Sequence, residues 1–244
     1  MIMLSNSIFL QFIQTRGIKY SLGNLHAPKT SFSAELQKTL HSEHNFASIH
    51  KLSKLVKRHC RWHRRHDQSK RSYFNYLLLD PRITRGLRLR AKCMHPLDVW
   101  LTFLRAIFYV GKGKAARPYA HLRQAKKVLH ATNSHVLAKD PKLALIVHLW
   151  QQQRGVLLLR GFHGISSNDA HSREAAIIEA LGMNHLTNRR LGVYFGPSLC
   201  KFSSKQRKQF GVALLHRLLS MYMKIEECEL QPELVKKSIS HTQS

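Results

Sequence analysis

The stretch AIFYVGKGKAARPYAHL, residues 106–122, decides the fold of this chain. Its first five residues, Ala106 to Val110, are apolar and aromatic, as in a buried strand. The Gly-Lys-Gly-Lys run at residues 111–114 predicts a turn. Pro118 favours the first turn of a helix that continues to about Leu129. The stretch therefore predicts a strand, a turn and a helix in immediate succession.

Two more strands and four more helices are predicted around this unit. The strands are Tyr73 to Asp80, closed by Asp-Pro, and Gly155 to Phe162. Helices are expected from Asp98, from Lys142 to Gln152 and from Asn168 to Leu181, which Gly182 stops. The last helix shows an apolar stripe made of Phe210, Leu214, Leu218, Met221, Tyr222 and Ile225. The pattern predicts an α+β domain, with a small three-stranded antiparallel sheet flanked by helices and a basic N-terminal extension.

The charge of the chain points to a polyanionic partner. Its 244 residues carry 40 Lys and Arg against 13 Asp and Glu, a net charge of +27. Such a surplus favours nucleic acid, because each neutralised phosphate releases counterions. A ribosomal-type RNA binder and a protein of acidic membranes remain alternatives. The four cysteines form no CxxC pair, which favours a reducing compartment, and no apolar run reaches the 18–20 or so residues of a membrane span.

The N-terminal third divides by composition. Residues 1–34 are basic, rich in Ser and Thr and free of acids, which is typical of a mitochondrial presequence; a plain disordered tail is the alternative. We expect a basic helical or disordered arm at residues 35–71, a globular domain at 72–230 and a tail at 231–244. The predicted location is the mitochondrial matrix, with the nucleus or cytoplasm as alternatives.

Residues 51–71 form a basic block with a single acid, Asp67. Four potential metal ligands lie in this block: His59, Cys60, His63 and His66. Their spacing matches no zinc pattern and the neighbouring arginines repel cations, so a metal is not favoured. We expect instead a solvated arm that contacts phosphates through Arg61, Arg64 and Arg65.

Glu174 is the acid that local structure does not explain. Most other acids between residues 72 and 199 have a local explanation. Asp80 precedes Pro81 at a strand end, and Asp98, Asp140 and Asp169 fall at helix caps or first turns. Glu179 is expected to face solvent, about 140° around the helix from Glu174. Glu174 instead shares an apolar helix face, where a carboxylate loses water unless a cation compensates it. An Arg partner would make it structural, and a divalent metal would make it functional.

Arg117 and His121 form the second local signal. They are four residues apart on the predicted helix, so their side chains share one face. Arg117 could bind a phosphate there with paired donors. A solvated basic face is the alternative interpretation, since Arg123, Lys126 and Lys127 lie on the same segment.

Taken together, these segments resemble the GIY-YIG nuclease family. Its strand tyrosine is matched by Tyr76 within Phe74-Asn75-Tyr76, which replaces the Gly-Ile-Tyr triplet, and its second motif by Tyr109-Val110-Gly111. Its helix arginine is matched by Arg117, with His121 following as in some members. The metal-binding glutamate and the later asparagine are matched by Glu174 and Asn188. The runs YLLLDPR, SREA and LTN are more similar to the animal endonucleases that carry ankyrin repeats and a LEM domain.

The resemblance implies a metal-dependent DNA endonuclease with no small-molecule cofactor. One Mg²⁺ or Mn²⁺ held by Glu174 would stabilise the charge of the reacting phosphate. Tyr76 would act as general base if nearby cations such as Arg117 and Lys112 lowered its pKa. Arg117 would stabilise charge, and His121 would assist proton transfer or hold a phosphate. Tyr109 would orient water or phosphate, and Asn188 would fix the site by hydrogen bonding.

Two lysines next to Tyr109 complete the implied site. Lys112 and Lys114 would lie near the scissile phosphate, and for Lys114 a solvated turn is an equal alternative. The expected substrate is duplex or branched DNA, cut in DNA processing, repair or turnover. The rival function is a mitochondrial RNA-binding or ribosome-associated protein without chemistry, in which the six motif residues would not converge. A homing nuclease is a third hypothesis, but the sequence shows no zinc finger or helix-turn-helix.

Overall fold

Eleven α-helices and four strands lie within residues 32–131 and 139–235, which the computed structural model describes. The strands are β1 (Tyr73–Leu79), β2 (Ile107–Gly113), β3 (Val156–Ile165) and β4 (Glu229–Leu230). The helices, numbered α1 to α11, are Ala34–Lys38, Glu43–Ala47, Ser53–His66, Pro81–Thr84, Leu87–Arg90, Pro96–Ala106, Arg117–Ala131, Pro141–Gln151, Ser167–Leu181, Pro197–Cys200 and Ser204–Tyr222. The α+β class with a small antiparallel sheet is confirmed.

The sheet has the order β2-β1-β3-β4, and every neighbouring pair is antiparallel. Its centre, β1, is buried along nearly its whole length, as its apolar run predicted. Tyr76 pairs with Gly111 on β2 and with Arg160 on β3. The first motif tyrosine therefore lies at the middle of the sheet, opposite the second motif.

The sequence prediction was wrong in two details of the sheet. A fourth strand exists, but with two residues, Glu229 and Leu230, it is too short to show a periodic pattern. The Gly-Lys-Gly run at residues 111–113 continues β2 instead of forming a turn. Glycine serves close packing here, because a Cβ on Gly111 would lie 2.3 Å from the Tyr76 ring.

The basic block forms α3, and one face of this helix is buried. Leu55, Val56, His59 and His63 are buried there, with the His59 ring 4.7 Å from the Phe210 ring of α11. Arg61, Arg64 and Arg65 are exposed on the remaining surface. The predicted arm is thus helical within Ser53–His66, but it is not a solvated arm throughout, since one face of the helix contributes to the core.

The Glu174-bearing helix α9 lies largely in the core. Most of its residues are buried, and it packs closely on α11, where a Cβ on Gly211 would meet the Ala176 carbonyl oxygen at 2.0 Å. Glu179, expected to face solvent, is half-buried beside Tyr194. Ile225 was expected on the α11 stripe, but it follows the helix and is exposed.

The termini are described only in part. The predicted presequence, residues 1–34, lies outside the described residues except for its last three, and the tail from residue 236 lies wholly outside them. Phe32 is buried and the Ser33 amide donates to the Ala180 carbonyl of α9, so the end of this segment contacts the domain. Within the described ranges, no helix combines the length and apolarity needed to cross a bilayer.

Candidate active site

The β1–β2 pair brings the two motif tyrosines together. Tyr76 and Tyr109 have ring centroids 6.1 Å apart, and Tyr76 is 1% exposed. The Tyr76 ring lies over Gly111 and occupies the space that a side chain at position 111 would need. The glycine of the second motif thus fixes where the phenol of the first motif lies.

His121 completes an aromatic cluster with these tyrosines. Its Nε2 lies 2.9 Å from the Tyr76 hydroxyl, and its ring centroid is 5.1 Å from that of Tyr109. Burial, helped by the charges of Lys142 and Arg117, lowers the pKa of His121 to about 4. The imidazole is therefore neutral at neutral pH, and it can accept the proton that the Tyr76 hydroxyl donates.

The expected lowering of the Tyr76 pKa is wrong. Burial raises it well above its usual value of 10, and Tyr109 and the charge of Glu174 raise it further. The pKa of Tyr109 is raised to about 12, mainly by burial and by Glu174. Arg117 lowers both values, but its effect is smaller than that of burial. Both tyrosines are consequently neutral phenols in this state of the protein.

Arg117 lies at the first turn of α7 with an exposed side chain. Its charge acts on Tyr76, Tyr109 and His121, which places the guanidinium beside the aromatic cluster. The chain turns tightly before this helix, because a Cβ on Gly113 would lie 2.6 Å from the Arg117 Cβ. The start of α7 and the β1–β2 pair together therefore present a cation and two phenols at one place.

Glu174 is buried on α9, as the apolar helix face predicted. One of its oxygens, Oε2, accepts a hydrogen bond from Lys112 Nζ at 2.7 Å. Burial raises the pKa of Glu174, and the ammonium group opposes that rise. The compensating cation in this structure is thus a lysine of β2, where the sequence had suggested an arginine or a metal.

Glu174 opens into a cleft of about 550 Å³. The Glu174 cleft, as we call it, is lined by Tyr109, Lys112, Asp140, Lys142, His171, Glu174, Ile178, Thr187, Asn188, Arg189, Arg190, Leu191, Gly192 and Val193. The rings of Tyr76 and His121 lie next to that of Tyr109 on the cleft wall, and the charge of Arg117 acts on both tyrosines. The six motif residues thus converge on one basic region of the molecule.

Sequence reasoning missed several residues of this cleft. Asp140 caps α8 as predicted, through the Lys142 and Leu143 amides, yet its carboxylate also lines the cleft. Lys142 Nζ lies 4.8 Å from the Tyr109 ring centroid. Arg189 and Arg190 follow Asn188 directly, and this adjacency was the one available signal. Nothing in the sequence distinguishes Lys142, as a residue of the cleft, from any other lysine in the first turn of a helix.

Asn188 pairs with the backbone of β2. Its side chain accepts from the Val110 amide at 3.0 Å and donates to the Val110 carbonyl at 2.8 Å. Thr187 donates twice to the Phe108 carbonyl, through its amide and its hydroxyl. These bonds satisfy the outer edge of β2 and hold Tyr109, the residue between, in place.

The other expected nucleic-acid contacts lie in different surroundings. Lys114 is exposed, and its Nζ lies 4.6 Å from the Tyr73 ring centroid. Arg61 and Arg65 line a second concavity of about 600 Å³ that does not include Arg64. This α3 groove is lined by Lys54, Lys57, Arg58, Arg61, Trp62, Arg65, His66, Pro197 and Lys201.

Three buried residues elsewhere have metal-ligating groups close together: His59, His63 and Asp169. Asp169 is already saturated, because Arg173 bonds both of its oxygens and His59 Nε2 bonds Oδ1 at 2.9 Å. A buried guanidinium at that position repels a metal ion, so the cluster is an ion-pair network that ties α3 to α9. The sequence predicted only that Asp169 lies at the cap or first turn of a helix.

Asp169→Asn is expected to lower the free energy of unfolding by about 3–5 kcal/mol, because it leaves a buried guanidinium unpaired. Burial alone would raise the Asp169 pKa, but the bonds from His59 and Arg173 outweigh burial and hold it below 3.8. This stabilisation is present above the unfolded pKa and is lost as pH falls through the lower folded one. Urea denaturation at pH 7 measures the loss. Equal stability of Asp169→Asn and the exposed control Asp98→Asn would contradict the network.

Comparison with known proteins identifies the domain. The family model of the LEM-3-like GIY-YIG domain matches residues 73–237. Ankyrin repeat and LEM domain-containing protein 1 from Homo sapiens is 40% identical over 163 residues, which cover 67% of this chain and 26% of that protein. The Mus musculus protein is 39% identical over 163 residues, covering 67% and 30%. The Caenorhabditis elegans homolog is 34% identical over 160 residues, covering 66% and 21%.

The likeness is confined to this domain. The chain spans less than a third of the length of the curated relatives that it matches. No solved structure matches the chain significantly. The family model covers more than half of the chain and contains all six motif residues, from Tyr76 to Asn188. The chain therefore belongs to the LEM-3-like GIY-YIG family, and residues 73–237 form its endonuclease domain.

Proposed function

We propose that this protein is a metal-dependent endonuclease that hydrolyses phosphodiester bonds in DNA and prefers branched or distorted structures. The observation that carries this function is the convergence of the Tyr76–Tyr109–His121 cluster on the cleft that Glu174 opens into. Such a site combines a proton acceptor, a carboxylate and several cations. The net charge of +27 suits a DNA substrate.

The residues of the cleft fit one divalent cation. Mg²⁺ binds through one or two carboxylates and keeps several waters, and Glu174 offers a carboxylate with one oxygen bonded to Lys112. Asp140 lines the same cleft and could bond a metal-bound water. When bound, Mg²⁺ or Mn²⁺ supplies stabilisation of the negative charge on the phosphate and on the leaving oxygen.

The proton path runs through Tyr76 and His121. Tyr76 removes a proton from the attacking water while its own hydroxyl proton passes to His121 Nε2, 2.9 Å away. The water oxygen bonds to phosphorus, the bond to the 3′ oxygen breaks, and the leaving 3′ oxygen takes up a proton from solvent. The tyrosine therefore acts as a neutral relay, which removes the need for a lowered phenol pKa.

The remaining motif residues position the substrate and stabilise charge. Arg117 has an exposed guanidinium beside the tyrosines, where it can bond the non-bridging phosphate oxygens. Tyr109 orients the water or the phosphate. Asn188 holds β2 through Val110 and so fixes Tyr109. Lys112 lines the cleft beside Glu174, where its ammonium group can also bond an oxygen of the incoming phosphate.

DNA outside the cleft contacts the basic surface of α3 through Arg61, Arg64 and Arg65, and Lys114 adds a contact beside β2. The matched relatives are named for ankyrin repeats and a LEM domain, and the proposed function does not depend on either. The proposed role is DNA processing, repair or turnover in the mitochondrial matrix, with the nucleus or cytoplasm as alternative locations.

A cleavage panel tests the function. Duplex, flap, four-way-junction and single-stranded DNA of equal length are incubated with the protein and Mg²⁺, Mn²⁺ or EDTA. We expect metal-dependent cutting, with flap and junction cut at least about tenfold faster than plain duplex, a difference of about 1.4 kcal/mol in barrier. Binding without cutting under every metal condition would instead support the RNA-binding alternative.

A further inference from the structure

The α3 groove carries five cations on one face of α3. Lys54, Lys57, Arg58, Arg61 and Arg65 recur at spacings of three and four residues, so they share that face. No acidic residue lines the groove. Among the residues that the structure describes, no carboxylate pairs with any of the five. Unpaired cations at this density need a polyanion close by.

The groove also contains a stacked aromatic pair. The rings of Trp62 and His66 lie 5.0 Å apart and are inclined by 15°. His66 Nδ1 donates to the Trp62 carbonyl, which holds the exposed imidazole in the stack. Gly196 supports the indole from below, because a Cβ there would lie 2.6 Å from the Trp62 ring. The pair is therefore a rigid, partly exposed platform.

We propose that the α3 groove binds a single strand of DNA, with phosphates on the cations and a base on the Trp62–His66 platform. Cations alone would bind duplex and single strand alike. A stacking platform adds affinity only for an unpaired strand, whose base faces are accessible. The combination of a basic groove with an exposed aromatic stack is the pattern of single-strand recognition.

The groove and the Glu174 cleft share one chain segment as part of their walls. Residues 189–193 line the cleft, and Pro197 and Lys201 of the same segment line the groove. Gly192 packs on Ala175, beside Glu174, and Gly196 packs on Trp62. Four residues of chain span at most about 14 Å. One strand can therefore reach both sites, which gives the proposed nuclease, on whose function this inference rests, a way to select flaps.

Binding is measured on the full chain in EDTA, so that no cutting interferes. The probes are fluorescein-labelled oligo(dT) of 15 nucleotides and a 15-base-pair hairpin duplex, followed by anisotropy. We expect Trp62→Ala to weaken oligo(dT) binding by about 5- to 100-fold, the usual effect of one stacked base, and to leave duplex binding nearly unchanged. Thermal unfolding verifies that this variant is folded.

A charge-reversal pair tests the groove without touching the core. Lys57→Glu/Arg61→Glu changes two exposed residues, and Lys92→Glu/Lys224→Glu makes the same charge change at exposed residues outside both concavities. We expect the groove pair to weaken oligo(dT) binding at least about tenfold more than the control and to reduce its salt slope by at least about 1.4. Trp100 and Trp150 are buried, so quenching of intrinsic fluorescence by oligo(dT) should disappear in Trp62→Ala.

Two results would overturn the proposal: equal weakening of duplex and oligo(dT) binding by Trp62→Ala, or equal effects of the two charge-reversal pairs on oligo(dT) binding. Either result would mean that the groove does not distinguish a single strand from a duplex or does not bind DNA. The outcome is separate from that of the cleavage panel. If the protein cuts DNA but the groove variants bind oligo(dT) normally, only this inference is refuted. If the protein binds oligo(dT) through the groove but never cuts DNA, only the proposed function is refuted.

Discussion

Glu174→Gln is expected to reduce the rate of DNA cleavage at least about 1000-fold in saturating Mg²⁺. The substitution keeps the shape and one hydrogen-bond acceptor for Lys112, but it removes the charge that attracts a divalent cation. Metal stabilisation of a reacting phosphate is worth several kcal/mol, and each 1.4 kcal/mol or so is a factor of ten in rate. Single-turnover cleavage of a junction substrate gives the measurement.

The matched control is Glu179→Gln, five residues along the same helix and outside the Glu174 cleft. The ion pair with Lys112 offers a purely structural explanation for Glu174. That explanation predicts a loss of stability of about 1.5–3 kcal/mol with normal cutting by the folded fraction. Full activity of folded Glu174→Gln, with a lowered midpoint of urea unfolding, would remove the metal assignment.

Tyr76→Phe is expected to lower the rate constant of cleavage by about 100- to 10,000-fold, the usual contribution of general acid–base catalysis. The ring and its packing on Gly111 are retained, so the change removes only the hydroxyl that donates to His121. Binding in EDTA should be nearly unchanged. Tyr222→Phe is the control, since it removes another buried hydroxyl, bonded to Glu227, without touching the site.

The relay also predicts the pH profile of the unmodified enzyme. Because His121 has a pKa of about 4, it accepts a proton throughout the neutral range. The rate constant should therefore show no decline near pH 6.5 that is due to a histidine of usual pKa, and should fall at lower pH as Glu174 and then His121 take up protons. A loss of rate centred near pH 6.5, or an unchanged rate in Tyr76→Phe, would contradict the proton path.

Local patterns predicted the secondary structure around the site. The Asp140 cap, the buried run of β1 and the apolar face around Glu174 are each encoded within a few residues, and the structure has them. The two-residue strand β4 exists only because residues distant in sequence meet. Sequence patterns cannot report such pairings without a periodic signal.

The chemistry of the site was less predictable than its location. Charge counting suggested that Arg117 would lower the Tyr76 pKa, but the pKa depends first on burial, which the sequence does not show. The Lys112–Glu174 pair joins residues 62 positions apart, and the basic block looked solvated because its histidines lie between arginines. Only the packing of α3 on α11 shows that His59 and His63 face inward.

The contacts of the N-terminal helices also bear on how small an independently folding unit can be. A chain beginning at residue 73, where the family match begins, would lose the indole hydrogen bond from Trp100 to Thr39 and the cover that His59 gives Phe210. It would also leave Asp169 and Arg173 with fewer partners at the base of the Glu174 helix. We expect such a truncated protein to aggregate when it is expressed alone, whereas one beginning before Phe32 should remain monomeric.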